Sequence, residues 1–346
     1  MISASGAGRA LKRTAPSAVL AAILALAGGC AAFGGSAGPA EKVKVLEVGA
    51  PLREPVWVPG EDTLLALGEE EPRVVLLDPN KPEDSAVAHS RELGGVGENL
   101  AINVRDPERA YLPRPGRGGI SVLSTKDLRR LDSLDVAGSP ARVTVDAASE
   151  VLFALSEDGS TVGSVDLEGS RELPPVEVGR GERTLPEAPE KGLTPAFWVA
   201  GPRGLAHYAG DPPERKVGME LEVGDLAVDP VSAQRAYVTE AGTGRVAAVE
   251  GDAERLLEGE LDLVVERTLG ERIEHIAVGE LFVYAATRER LAVMRRHDLK
   301  THETVDYREP LERELRSAPV SGLAVGKESV YLTLSGEPSV LSVEKP

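Results

Sequence analysis

Ala236-Tyr237-Val238-Thr239-Glu240 and Gly244-Arg245-Val246-Ala247-Ala248-Val249 are two short runs separated by Ala241-Gly242-Thr243. Both are rich in β-branched, aromatic or small apolar residues and are bounded by turn formers, which predicts two strands joined by a hairpin. The second run returns as Val74-Val75-Leu76-Leu77, Ile120-Ser121-Val122-Leu123, Val162-Gly163-Ser164-Val165, Leu205-Ala206-His207-Tyr208, Leu291-Ala292-Val293-Met294 and Val340-Leu341-Ser342-Val343. With Val246 included, the first residues of the copies are 46, 42, 43, 41, 45 and 49 residues apart. A strand-built repeat of this length is the mark of a propeller array, one repeat per blade. Seven copies predict seven blades, and no residue with obvious catalytic chemistry recurs with them.

The first run recurs too, as Thr63-Leu64-Leu65-Ala66-Leu67, Ala110-Tyr111-Leu112, Leu152-Phe153-Ala154-Leu155, Phe197-Trp198-Val199-Ala200, Val283-Tyr284-Ala285-Ala286 and Val330-Tyr331-Leu332-Thr333. An aromatic holds the second place in six of the seven copies, where it would fill the space between blades. Upstream lies a third strand, seen in Leu100-Ala101-Ile102, Val143-Thr144-Val145, Leu226-Ala227-Val228, Ile276-Ala277-Val278 and Leu323-Ala324-Val325. Asp106-Pro107, Asp146-Ala147, Asp229-Pro230, Gly279-Glu280 and Gly326-Lys327 follow it and supply turn chemistry.

A fourth strand is expected to end in Leu134-Asp135-Val136, Val176-Glu177-Val178-Gly179 and Leu221-Glu222-Val223-Gly224. One copy is out of place. Leu46-Glu47-Val48-Gly49 precedes every complete blade, while the last blade has three strands before Pro346. Lys42 to Val48 is therefore expected to pair with the strand around Val340, closing the ring and covering an open sheet edge. Gly179 to Pro195, with its prolines and charges, stands where the inner strand of the fourth blade belongs and cannot form a regular central strand; it reads as a degenerate strand without function or, second, as an inserted loop near the axis that binds a ligand.

Ala236-Tyr237-Val238-Thr239-Glu240 with Gly244-Arg245-Val246-Ala247-Ala248-Val249 resembles the repeat of YVTN-type seven-bladed propellers of surface-layer and secreted microbial proteins. The resemblance covers about residues 42–346 and implies architecture more than activity, since one scaffold hosts many unrelated sites. The Gly-His and Trp-Asp marks of WD40 repeats are missing.

The first thirty residues read as an address. Arg9, Lys12 and Arg13 precede the apolar run Ala15 to Leu26, and small residues lead to Cys30. This is the pattern of an export signal, too short to span a bilayer. Leu26-Ala27-Gly28-Gly29-Cys30 also resembles the bacterial lipobox, which implies cleavage before Cys30 and diacylation of its thiol. Residues 1–29 are accordingly expected to be a lipoprotein signal peptide, 30–41 a flexible tether holding the folded part about 20 Å from the membrane, and 42–346 an all-β, seven-bladed propeller of four-stranded antiparallel blades. Cys30 is the sole cysteine, so the chain forms no internal disulfide.

The chain carries a formal charge of -17. Removing residues 1–29 takes away three basic residues and leaves 36 against 56 acidic ones, a net of -20. Such a surface repels phosphate backbones and argues against nucleic-acid binding. Five scattered histidines, His89, His207, His275, His297 and His302, form no metal motif, and His207 reads as a satisfied interior residue. No Gly-x-Ser-x-Gly elbow is present. Gly116-Arg117-Gly118-Gly119 and Glu69-Glu70-Glu71 read as turns, and Arg288, Arg290, Arg295, Arg296 and Lys300 as an exposed basic hairpin.

The sequence thus assigns one site residue, Cys30, as the lipidation site, and no catalytic, cofactor-binding or metal-ligating residue. It predicts an exported monomer, anchored to the bacterial cell membrane or outer membrane, that binds or scaffolds an envelope protein or ligand. Two alternatives stand beside it: a propeller enzyme of the lactone-hydrolase or quinoprotein-dehydrogenase kind, and a subunit of an envelope assembly complex.

Overall fold

Each recurring apolar run is a strand, because its alternate side chains are buried on both faces of a sheet. A computed structural model describes residues 42–179, 185–188, 194–230, 232, 234–251, 261–308, 311 and 317–346. Cys30 and the expected signal and tether lie outside the described residues. Strand β1 (Val43–Glu47) comes first. Blade 1 is β2 (Leu52–Val58), β3 (Thr63–Gly68), β4 (Val74–Leu77) and β5 (Val87–His89). Blade 2 is β6 (Ala101–Asn103), β7 (Asp106–Arg114), β8 (Gly119–Ser124) and β9 (Arg130–Asp135), and blade 3 is β10 (Pro140–Asp146), β11 (Val151–Ser156), β12 (Thr161–Asp166) and β13 (Arg171–Glu177). Blade 4 is β14 (Leu185–Glu187), β15 (Ala196–Gly201), β16 (Gly204–Gly210) and β17 (Pro213–Met219). Blade 5 is β18 (Val223–Val228), β19 (Arg235–Glu240), β20 (Arg245–Glu250) and β21 (Asp262–Thr268), and blade 6 is β22 (Ile273–Val278), β23 (Phe282–Thr287), β24 (Arg290–Arg295) and β25 (Thr301–Asp306). Blade 7 takes β26 (Val320–Val325), β27 (Ser329–Leu334) and β28 (Ser339–Glu344) from the end of the chain and β1 from its start.

Seven antiparallel sheets of four strands result. The closing pair runs from Val43 opposite Val343 to Glu47 opposite Ser339, and backbone bonds extend it from Lys42 to Val48. The expected closure is therefore present, over the expected residues.

Apolar side chains gather in seven clusters among the described residues, one at each interface between successive blades. Tyr111, Tyr237, Tyr284 and Tyr331 each pack toward the next blade, and Phe153, Phe197 and Tyr208 stack between blades 3 and 4. Burying one such ring is worth about 3 kcal/mol. At Gly326 a Cβ would sit 2.6 Å from the Tyr331 ring and 3.1 Å from Trp57, so glycine there lets two stacked aromatics cover the turn.

One expectation is met and one needs correction. Within Gly179 to Pro195 the degenerate strand is present, since Leu185–Glu187 alone pairs with Trp198–Ala200 in the inner place of blade 4. Pro186 is tolerated there because the inner strand is the edge of its four-stranded sheet. Leu221-Glu222-Val223-Gly224 does not end the outer strand of blade 4. That strand stops at Met219, and Val223 opens the inner strand of blade 5.

Deleting residues 42–49 exposes the edge of β28 and removes the buried Val43 and Val48. The melting temperature is expected to fall by about 10 °C or more, and an unchanged calorimetric melt would refute closure as a source of stability.

Candidate functional site: the axial cavity and its charged rim

The inner strands all begin on one face of the ring, here called the entry face, and end on the opposite, exit face. They surround an axial cavity of about 350 Å³. In blades 3, 5, 6 and 7 the inner strand is bulged near its start, which skips Ala141, Gly224, Glu274 and Ser321 in the pairing. Just after the skipped residue stand Arg142, Asp225, His275 and Gly322. The corresponding place, one residue before the apolar run, holds Asn99 in blade 2 without a bulge there, and in blade 1 the wider bulge Glu54-Pro55. A β-bulge re-aims side chains, and here it sets one polar layer around the entry mouth of the cavity.

Much of this layer laces the blades together. Asn99 exchanges hydrogen bonds with the backbone of Val143, its Nδ2 donating at 2.8 Å and its Oδ1 accepting at 2.9 Å. Arg53 donates to the carbonyls of Glu98 and Gly97. The Ala188 amide donates to Thr144 Oγ1, the Ile276 amide to Asp225 Oδ2 and the Val320 amide to Glu274 Oε2, while Ser321 Oγ donates to the Leu52 carbonyl. Six of the seven blade junctions are bridged in this way among the described residues. The Thr144 and Ser321 hydroxyls are thereby engaged.

What remains turned toward the cavity is charge. Glu54 has a φ of 49°, a left-handed conformation that costs a non-glycine residue about 1–2 kcal/mol. Gly322 permits it, because a Cβ there would collide with Pro55 and lie 2.8 Å from the Glu54 nitrogen. Burial pushes the Glu54 carboxyl above its ordinary range; Arg142 and His275 oppose the rise, and Asp225 adds to it. Arg142 Nη1 lies 4.0 Å from Glu54 Oε1, with Arg142 Nε on Glu98 at 2.7 Å. For His275, burial works against the imidazolium, but Asp225, 3.5 Å from Nδ1, together with Glu54 and Glu274, outweighs it and holds the group above its ordinary value. The rim therefore presents a carboxyl that resists ionisation beside an imidazole that favours it. It offers hydrogen bonds and matched charge to a ligand, without an activated nucleophile among the groups described.

Of the histidines singled out in the sequence, His275 alone enters this layer. His297 is 72% exposed beside Asp298, and His302 packs on Phe282. No group of three or more His, Cys, Asp or Glu among the described residues is placed to hold a metal ion. Of the expected basic hairpin, Arg296 reaches the buried Asp229 of blade 5 at 3.2 Å, Arg295 pairs with Asp298, and Arg290 with Glu271. Arg288 donates to the Ser317 carbonyl. Arg296 is thus a tie between blades rather than part of an exposed face. Pro115–Arg117 forms a single 3-10 turn between β7 and β8, and Glu69 Oε2 accepts from the Gly336 amide at 2.8 Å, joining blades 1 and 7.

His207 also departs from expectation. It is 3% exposed, and neither ring nitrogen has a hydrogen-bond partner. Its ring lies 4.6 Å from that of Trp198. Burial, with Lys216 adding to it, lowers its pKa to about 4.

No family model and no curated protein matches the chain. Among solved structures, one chain of the "Crystal Structure of Mitotic Checkpoint Complex" aligns with a TM-score of 0.67 at 10% identity, covering 87% of this chain and 91% of that one. The "Crystal structure of RRP9 WD40 repeats" aligns at 0.68 and 9% identity, covering 88% and 97%. At such identities the likeness is one of fold, reached here without the Gly-His and Trp-Asp marks.

The pH dependence of stability follows from His207. Its folded pKa of about 4 lies below the ordinary 6.5, so between these values the unfolded chain takes up a proton that the fold refuses. The contribution of His207 to stability is expected to decline by about 3 kcal/mol as pH falls from 6.5 to 4. Denaturant unfolding across that range should show a flatter dependence in His207→Leu; an identical slope would reject the assignment.

Proposed function

We propose that the chain is a lipid-anchored propeller of the bacterial cell envelope that binds or scaffolds a partner at the entry-face rim of its axial cavity. The observation carrying this reading is the polar layer itself. Five blades contribute a polar side chain at corresponding positions, Glu54, Asn99, Arg142, Asp225 and His275, and Glu54 is held there in a strained conformation that Gly322 makes possible. Strain at a cavity mouth is kept where it serves recognition, and the free chemistry of the rim is charge and hydrogen bonding. The YVTN-like repeat and the lipobox-like Leu26-Ala27-Gly28-Gly29-Cys30 support export and anchoring.

Two measurements test the two parts. Cys30→Ser is expected to move the protein out of the membrane fraction, and its retention there would defeat the anchor. A photoreactive residue in place of the exposed Glu98 is expected to give adducts of defined mass in intact cells. Those adducts should vanish with Glu54→Gln or His275→Gln and be absent when the probe replaces Glu172 on outer strand β13. Identical adducts from both positions, or none from position 98, would defeat the rim as the binding site.

A further inference from the structure

The exit face differs sharply from the rim. Where β1 closes blade 7, a pocket of about 480 Å³ is lined by Lys42, Lys44, Lys327 and Lys345, with Glu328 and Glu344 among them. Four lysines in one pocket stand out on a chain of charge -17. Lys44 is exposed, Lys327 is exposed and pairs loosely with Asp62 at 3.9 Å, Lys345 donates to the Gly326 carbonyl at 2.6 Å, and Lys42 pairs with Glu303 at 2.5 Å. The adjoining turn of blade 6 lies near this pocket, since its Glu280 acts electrostatically on Lys345 and favours the ammonium charge. That turn carries Leu281, which is 71% exposed, against at most 47% for the other exposed large apolar residues described. The Leu281 carbonyl accepts from the Arg296 amide, so the turn bearing His297 and Lys300, both 72% exposed at their side chains, lies beside it.

A leucine left in water next to lysines forgoes the burial that drives such side chains out of water. The same arrangement is favourable against an anionic bilayer, where the apolar side chain enters the interfacial layer and the ammonium groups meet phosphates. Chain direction supplies a second argument. Lys42, the residue at which the described chain enters β1, stands at the exit-face end of that strand, beside Glu344.

We infer that the exit face of blades 6 and 7 docks on anionic phospholipid headgroups, with Leu281 inserted and Lys44, Lys327 and Lys345 on the phosphates. The inference rests on the lipid-anchor reading for what brings this face to the membrane. Docking turns the axial rim away from the bilayer.

The test labels the whole chain carrying Leu281→Cys with an environment-sensitive dye; the unsubstituted chain, treated in parallel, gives the background from Cys30. Flotation with phosphatidylcholine vesicles reports the anchor, and the added effect of phosphatidylglycerol on the dye reports the face. We expect a shift to apolar emission at position 281 that requires phosphatidylglycerol, disappears in high salt, and is absent for a dye at Glu70→Cys on the entry face. The ratio of docked to free protein should drop about fivefold for each of Lys44→Ala and Lys327→Ala. A chain that floats with both vesicles while the dye at 281 stays water-like overturns the inference and leaves the anchor standing. Flotation only with phosphatidylglycerol, with the dye shifted, supports the face and defeats the anchor, and failure to float with either overturns both.

Discussion

The pairing of β1 with β28 is the contact on which the architecture depends. No blade can bury its two apolar faces alone, so each relies on both neighbours, and a row of blades would leave two faces and one open edge in water. Joining Val43–Glu47 to the last strand converts that row into a ring in which all seven interfaces are equivalent in kind. The stability of any one interface is then shared with the others, because opening it strains the rest of the circle. This is why a five-residue strand far from the cavity governs the geometry of the cavity.

The axial layer shows how a structural demand and a binding surface come from the same positions. Inner strands in a propeller lack a strand partner on the axial side, so their polar groups need side-chain bonds from the neighbouring blade. Asn99, Thr144, Glu274 and Ser321 meet that need. Asp225 does so as well, and its second role is to lift the affinity of His275 for a proton. Glu54 makes no comparable bond to a neighbouring blade, and its burial raises its own proton affinity instead. The pair thus sits in one electrostatic balance: an ionised Glu54 favours a protonated His275, and a protonated His275 favours an ionised Glu54.

The blades were legible because packing on both faces forces apolar runs of fixed length and a fixed return interval. The closing strand was legible for a related reason, a surplus of one strand at the start matching a deficit at the end. The rim was not. Its residues differ in type from blade to blade, so no motif repeats, although the signal was present: each stands immediately before, or one residue ahead of, an inner-strand run such as Leu226-Ala227-Val228 or Ile276-Ala277-Val278. Glu54 escaped even that alignment because its bulge carries an extra residue. His207 was misjudged because strand pattern reports burial and is silent on whether a nitrogen finds a donor or acceptor. Within Gly179 to Pro195 a degenerate strand was legible but its place was not, since three residues with a proline carry too little periodicity to locate it.

The split ownership of blade 7 also has a temporal side. Val43 and Val343 are about 300 residues apart, so the closing sheet is among the most non-local contacts a chain of this size can make. A chain emerging from its amino end presents β1 first and β28 last. Six blades can stack in sequence as they appear, but the circle cannot lock until the final strand has arrived, and until then β1 is an unpaired edge. The molecule therefore keeps an adhesive strand waiting until β28, about 300 residues further along, emerges and silences it.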